Sequence, residues 1–399
     1  MIVRARVVAT MDGAPIENGA VAISADRIVD VGKFPEVSAR YSGQQIVDLG
    51  EQVLLPGLIN AHCHLDYTCL RGKIPPPKSF AAWIRAMNAE KAKLSKQDYL
   101  ASINEGFAEA RRFGTTTIGN LTAFPELIAK INEPIRTWWF AELIDVREPN
   151  RANDVVDLSV ESLKSKEIWG LAPHALFTAS ANLYRHCQEI ARRENIFLTT
   201  HLAESREEMS MFRDASGPLY EFMKGIGRPM DDCGHETPFA LFVGRRALVG
   251  RWIIAHLNEL AESDFDLLAR STGKFHVVHS PRSHKYFAHS PFPFERLRAL
   301  GCNVCLGTDS LASNEDLSLF AEMRAFQKNE PRTSPEEILS MATVNPARAL
   351  RQENALGKIR RGFCADLIAI PCARSTNTLE EIIAFDRPVD GTVMDGKIR

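Results

Sequence analysis

The sequence predicts an α/β fold, a (β/α)8 TIM-type barrel with a small β-sandwich built from both termini. Three observations lead there. Strand-like and helix-like patterns alternate through the middle of the chain, as parallel strands joined by helical crossovers do. Eight such units fit the roughly 250–300 residues that a closed barrel occupies. The two ends, residues 1–55 and 355–399, carry short β-branched runs and turn signals instead, which leaves residues 56–354 for the barrel. A doubly wound open sheet is the runner-up. It lacks support because no Gly-x-Gly-x-x-Gly follows any strand.

In chain order, Met11-Asp12-Gly13 and Glu17-Asn18-Gly19 mark turns between the first short strands. The apolar run Gln52 to Ile59 leads into Asn60-Ala61-His62-Cys63-His64-Leu65-Asp66 and forms the first barrel strand. The next strands centre on Thr115 to Ile118, Ile135 to Glu142, Ile168 to Ala172 and Ile196 to His201. Trp252 to His256, Phe275 to His279 and Cys302 to Gly307 complete the eight. Amphipathic stretches such as Tyr99 to Phe113, Ala181 to Glu194 and Asp316 to Gln327 supply helices between them. Ser334-Pro335-Glu336-Glu337 starts a further helix, with an N-cap, proline at the first position and acids in the first turn. Leu367 to Ile370 and Thr392 to Met394, the latter followed by Asp395-Gly396, are strands and a hairpin turn that pair with the N-terminal strands.

Composition narrows the function. The chain has 399 residues and a formal charge of −2, from 48 Lys+Arg and 50 Asp+Glu. No basic block marks a nucleic-acid partner. No apolar run of ~18 residues would span a membrane, and the N-terminus lacks a signal-peptide core. Eight scattered cysteines fit reduced thiols in a cytoplasmic protein. Cys302 and Cys305 sit three apart in a strand pattern and so face opposite sides, which argues against a shared metal or redox role.

The strand ends are unusually polar. His62 and His64, two apart on a strand, point to one face. His174, His201, His256, His279 and His284 follow at later strand ends, so seven of the 11 histidines lie there. A single strand-end histidine is more often structural than a ligand, but so many on one rim would be costly without partners. In a barrel this rim carries the chemistry. Three imidazoles and a carboxylate suit one divalent metal, Zn²⁺ or alternatively Fe²⁺, with a position left for water. His62, His64, His201 and Asp309 are the candidate ligands. Such a metal lowers the pKa of bound water from about 15.7 to about 7. Glu204, three residues after His201, reads either as a proton shuttle for that water or as a solvated acid at a helix start.

Three segments together resemble the amidohydrolase superfamily over nearly the whole chain. Pro56-Gly57-Leu58-Ile59-Asn60-Ala61-His62-Cys63-His64 resembles its strand-one signature. Ala342-Thr343-Val344-Asn345-Pro346-Ala347-Arg348-Ala349-Leu350 resembles its helix after the barrel, and Gly357 to Ile368 its return to the sandwich. His201-Leu202-Ala203-Glu204 is similar to the metal histidine and catalytic glutamate of the mononuclear branch, which holds nucleoside, guanine and cytosine deaminases and triazine hydrolases. No lysine ends strand four, so the carboxylated-lysine bridge of binuclear relatives is not expected. Three places depart from the pattern, the first being Leu176-Phe177 after strand four, where Pro-Tyr is usual. Leu257-Asn258-Glu259-Leu260 follows His256 without the usual second histidine. His279-Ser280-Pro281-Arg282-Ser283-His284 replaces the usual His-Asn-Pro-x-Ser-Asn.

The resemblance implies a metal-dependent hydrolytic deaminase of an aminated purine-type ring. The segments Leu70-Arg71-Gly72, His64 to Thr68, Ser79 to Ile84 and Gly307 to Asn314 are similar to those of S-adenosylhomocysteine, methylthioadenosine and aminodeoxyfutalosine deaminases. It implies catalytic roles for Glu204, His256 and Asp309, and substrate contacts from Trp83, His174, Arg282, Asp66 and Ser310. The role of His284 stays open. A small-molecule substrate and a homodimer are the expected partners. The alternatives are a guanine-, pterin- or cytosine-type base deaminase and a triazine-type chloro- or aminohydrolase. A cyclic amidase is disfavoured by the missing lysine, and a binding protein would not need both the ligands and Glu204. The separate cytidine-deaminase zinc site needs His-x-Glu with Pro-Cys-x-x-Cys, whereas Gly301 precedes Cys302 and His235 adjoins Glu236.

Overall fold

The computed structural model describes residues 1–245, 252–271, 275–372 and 377–398. Its middle is a ring of parallel strands: Leu58–His64, Thr115–Thr122, Arg136–Leu143, Trp169–Pro173, Phe197–Leu202, Trp252–His256 and Phe275–His279, each paired with the next. We call these strands one to seven. Strand eight is split. Val304–Leu306 pairs with strand seven and Asp309–Ser310 pairs with strand one, which closes the ring. Between the two pieces, the Gly307 N–H donates to the His279 carbonyl and the Thr308 N–H to the His62 carbonyl. A Cβ on Gly307 would stand 2.7 Å from the His62 carbonyl oxygen, so the hand-off from strand seven to strand one needs a glycine.

Alternation sorts side chains between two layers. Ile59, Ala61, Leu121, Trp138, Phe140, Ala172, Ile253, Val278 and Cys305 pack together in the barrel interior. Trp139, one residue out of phase with Trp138, joins the layer under the helices, where it meets Phe107 edge-on at 5.8 Å. Those helices start where the sequence signals them. Ser95 forms a capping box with Asp98 ahead of Lys96–Arg112, and Ser180 caps Ala181–Glu194. Ser334 caps Pro335–Ser340 by accepting from the Glu337 N–H.

The chain ends meet in one eight-stranded sheet. Its order runs Lys397–Ile398, Gly391–Met394, Leu367–Pro371, Gln52–Pro56, Ile2–Val8, Ile16–Ser24 and Arg27–Lys33, with Ile46–Asp48 also on Ile2–Val8. Its strands form one hydrogen-bonded path, with Val3, Val21, Leu54, Leu367 and Val393 in its core. Among the described residues no helix is long and apolar enough to cross a membrane, and no disulfide forms.

Candidate active site

Strand one shifts register against strand two between Asn60 and Cys63. Such an irregularity re-aims the side chains that follow. Ile59 and Ala61 face the barrel interior, and after the shift His62 and His64 face it too. Cys63 turns to the layer under the helices. His201 ends strand five and Asp309 opens the last piece of strand eight. One ligand atom from each of His62, His64, His201 and Asp309 lies within 4.8 Å of all the others. His64 Nε2 is 3.2 Å from His201 Nε2. Two nitrogens sharing a tetrahedral Zn²⁺ at ~2.0–2.1 Å stand about 3.3 Å apart, so the spacing suits a common ion.

The surroundings prepare these atoms for a cation. His201 Nδ1 lies 3.0 Å from the His174 carbonyl, a contact that places the ring proton there and leaves Nε2 bare. Asp309 adopts a left-handed backbone (φ 56°), which aspartate tolerates better than most residues. Its Oδ2 accepts from Ser283 Oγ at 2.6 Å, and its Oδ1 lies 3.8 Å from Nε2 of both His62 and His64. His62 is buried, and neither ring nitrogen has a hydrogen-bond partner among the described residues. An orphaned imidazole is unfavourable without a ligand role. Burial, with His201 nearby, pushes His62 well below the usual histidine range. Burial and the neighbouring His62 and His201 do the same to His64. Neutral imidazoles are the form that binds metal, and this donor set fits one divalent ion.

A second grouping, Glu142, His174 and His201, shares His201 with the first. Because His201 Nδ1 is engaged by the His174 carbonyl, only one nitrogen is free to ligate. The two groupings therefore compete for one atom.

Glu204 lies just past strand five. The helix Arg206–Asp214 is capped by Ser205, whose Oγ accepts from the Glu208 N–H. Glu204 is therefore not the cap, and it faces the cavity instead. Burial, with contributions from Asp309 and Glu208, raises its carboxyl well above the usual range. His256, at the end of strand six, puts Nε2 3.6 Å from Glu204 Oε1, and that nitrogen has no hydrogen-bond partner among the described residues.

A cavity of about 520 Å³ opens over this cluster. His64, His201, Glu204 and Asp309 form its floor, and Trp83, His174 and Ser310 also line it. Its upper wall is apolar, from Phe80, Trp83, Met87, Phe177 and Phe222. Trp83 rides on the helix Phe80–Lys91. The first two N–H groups of that helix donate to the Glu207 carboxylate at 2.8 and 3.0 Å, which ties the Trp83 wall to the segment carrying Glu204.

Asp66 and Arg282, two of the expected substrate contacts, do not line the cavity. Asp66 is buried, and its Oδ2 accepts from the Ala123 N–H at 2.8 Å and Thr122 Oγ1 at 3.1 Å. It ties the 3-10 turn Leu65–Leu70 to the end of strand two, and burial pushes its carboxyl up to about 7. Arg282, on the helix Pro281–Phe287, turns outward to Asp316 at 2.6 Å and Glu315 at 3.1 Å. Its N–H donates to buried Glu322, and its side chain does not reach the cavity. His284 also lies outside the lining, against Asn258.

Glu322 carries a stability prediction. Burial raises its carboxyl to about 8, partly offset by Arg282. The unfolded group titrates near 4.3. Stability tied to the folded, protonated form is therefore full below about pH 4 and drains as pH rises toward 8. Glu322→Gln is expected to flatten the fall in stability by roughly 2–3 kcal/mol between pH 5 and 7, at about 1.4 kcal/mol per pH unit. Denaturant melts of both proteins across that range check it. Parallel curves would contradict it.

Among the cavity-wall residues that escaped the sequence reading are Glu142, Tyr67 and Lys91. Lys91 Nζ donates to the Tyr67 hydroxyl at 2.8 Å. Glu142 Oε1 lies 3.5 Å from His64 Nδ1 and 3.9 Å from His174 Nε2. Glu142 occupies the end of strand three, so the strand-end rule could have found it. Tyr67 and Lys91 come from a turn and a helix, where that rule is silent.

Comparison with known proteins agrees with this architecture. The model of the amidohydrolase family matches residues 53–399. The 5-methylthioadenosine/S-adenosylhomocysteine deaminase of Syntrophobacter fumaroxidans is 31% identical over 377 residues, covering 90% of this chain and 81% of that protein. The 5′-deoxyadenosine deaminase of Methanocaldococcus jannaschii is 28% identical over 404 residues, covering 95% and 90%. Among solved structures, Helicobacter pylori aminofutalosine deaminase in complex with methylthio-coformycin superposes with a TM-score of 0.88 at 21% identity, covering 100% of this chain and 99% of that one. The chain belongs to the amidohydrolase family and is a hydrolase of non-peptide carbon–nitrogen bonds.

Proposed function

We propose that this chain is a hydrolytic deaminase of an adenosine-derived nucleoside. It would use one divalent ion, Zn²⁺ in preference to Fe²⁺, held by His62, His64, His201 and Asp309. The carrying observation is Glu204, a buried carboxyl raised well above its usual range, on the cavity floor beside those four residues. The names of the relatives from Syntrophobacter and Methanocaldococcus support the substrate class.

A divalent ion at these ligands supplies a coordinated water of lowered pKa. The chain's own residues do the rest. Glu204, protonated, donates to the ring nitrogen beside the amine-bearing carbon and makes that carbon electrophilic. His256 holds the attacking water, and Asp309 accepts one of its protons. The water oxygen bonds to the ring carbon. Glu204, now ionised, collects the proton of the new hydroxyl and hands it to the amine, which leaves as ammonia. The proton on Asp309 then restores Glu204. The net change is one water consumed, one C–N bond broken and one carbonyl formed.

The apolar upper wall suits the nucleoside's base and its 5′ substituent, with Trp83 and His174 as contacts. If Trp83 stacks on the substrate, Trp83→Ala raises KM about 10- to 100-fold with a smaller change in kcat. Steady-state kinetics separate this from a change confined to kcat, which would remove Trp83 from substrate binding.

An ammonia-release screen tests the proposal. It covers adenosine, 5′-deoxyadenosine, methylthioadenosine, S-adenosylhomocysteine, aminodeoxyfutalosine, guanine and pterins, with metal-loaded protein. Release from one or more of the adenosine derivatives is expected. Silence across the panel contradicts the deaminase reading, and release from guanine or pterins alone moves the substrate class to free bases.

A further inference from the structure

Two of the places where the chain departs from the family pattern touch each other. His284 Nδ1 lies 3.1 Å from Asn258 Oδ1, and Asn258 Nδ2 donates to the backbone carbonyl of Glu204 at 3.0 Å. An amide that donates to the carbonyl presents its oxygen to His284, so the histidine donates from Nδ1. We propose that Asn258, oriented by His284, is a positioning residue that holds the Glu204 peptide and so aims the Glu204 carboxyl. This rests on the reading of Glu204 as the proton donor.

The backbone here needs holding. Ala203 (φ 50°), His256 (φ 78°) and Leu257 (φ 52°) all have left-handed backbones at the ends of strands five and six. Side chains with a Cβ adopt that region only where the surroundings over-determine it. The two strand ends are laced together by Leu257 N–H to Leu202 and Glu259 N–H to Ala203, at 3.0 and 2.9 Å. The Glu204 N–H is met from the opposite side by Glu208 Oε2 at 2.7 Å. The carbonyl of the same residue is met by Asn258. Asn258 and Glu208 are both buried, so no solvent replaces either contact. Loss of the Asn258 amide frees one side of a peptide that carries the acid, while the ligands on strands one, five and eight keep their places.

The test compares Asn258→Ala, His284→Ala, the double variant and His284→Gln, which keeps a donor. Each is assayed for kcat, KM, bound metal and melting temperature, with Glu204→Gln as reference. Each single alanine variant is expected to lose about 10- to 100-fold in kcat, as small misplacements of an acting group do. KM and metal content stay near wild type, while the melting temperature falls by the few degrees that one unmatched buried polar group costs. The double variant falls no further than Asn258→Ala, because the two act in series, and His284→Gln recovers part of the loss. Wild-type kcat in both single variants overturns the proposal, as does a double loss equal to the product of the singles. Losses that track metal content overturn it too. Should Asn258→Ala not fold, the His284 variants decide: Ala lowering kcat and Gln restoring it supports the proposal, and no effect of either overturns it. A Glu204→Gln protein that keeps its kcat defeats the reading of Glu204 itself. A dead Glu204→Gln with fully active Asn258 and His284 variants defeats the positioning alone.

Discussion

Glu204→Gln is expected to leave about one-thousandth of the wild-type kcat, within the range that general acid–base groups contribute. The amide keeps the size of the carboxyl and preserves the backbone contacts to Glu208 and Asn258. It cannot deliver or collect the proton. Metal content should stay at one ion per chain, because Glu204 is not among the four converging donors. Binding of a nucleoside product or unreactive analogue should also survive. Near wild-type turnover in a metal-loaded Glu204→Gln protein would exclude Glu204 as the proton donor.

The second large effect is expected at the metal. A chelator should abolish turnover, and Zn²⁺ should restore it. His62→Ala should abolish turnover without restoration at comparable Zn²⁺. His62 is the sharpest choice because both of its ring nitrogens are buried without hydrogen-bond partners among the described residues, as a metal ligand's would be before the ion binds. A ligand that binds only the folded state stabilises it by mass action, so the chelated protein should also melt at lower temperature than the Zn²⁺-loaded one. Elemental analysis and thermal melts check both points. Full activity without metal, or two ions per chain, would contradict the single-ion reading.

Much of the fold could be read from residue patterns, for a physical reason. Alternating strands and amphipathic helices are local signals, and a closed barrel follows from repeating them eight times. The break in strand eight could not be read. Cys302 to Gly307 looks like one strand, yet only Val304–Leu306 pairs with strand seven. The chain then crosses through Gly307 and Thr308 to pair with strand one. That crossing is a demand of ring closure, and no local pattern reports it.

The same division runs through the site. His62, His64, His201 and Asp309 sit at strand ends, where the barrel axis makes side chains converge, and the four meet. Asp66 follows His64 by two residues, but the chain has already left the strand for the turn Leu65–Leu70. The period-two rule no longer says where its carboxyl points. Arg282 lies in the first turn of a helix, and its long side chain swings out to two acids on a neighbouring segment. Its direction is set by partners about 34 residues away in sequence. Lys91 and Tyr67 reach the cavity from elements outside the strands, so only their packing reveals them.

The central claim is that water replaces an amine on a purine-type ring. Turnover of the best substrate from the nucleoside panel in ¹⁸O-labelled water tests it most directly. The account predicts one labelled oxygen on the base of the product and one equivalent of ammonia, with the glycosidic bond intact. Label on the sugar, release of free base, or product without label would contradict it.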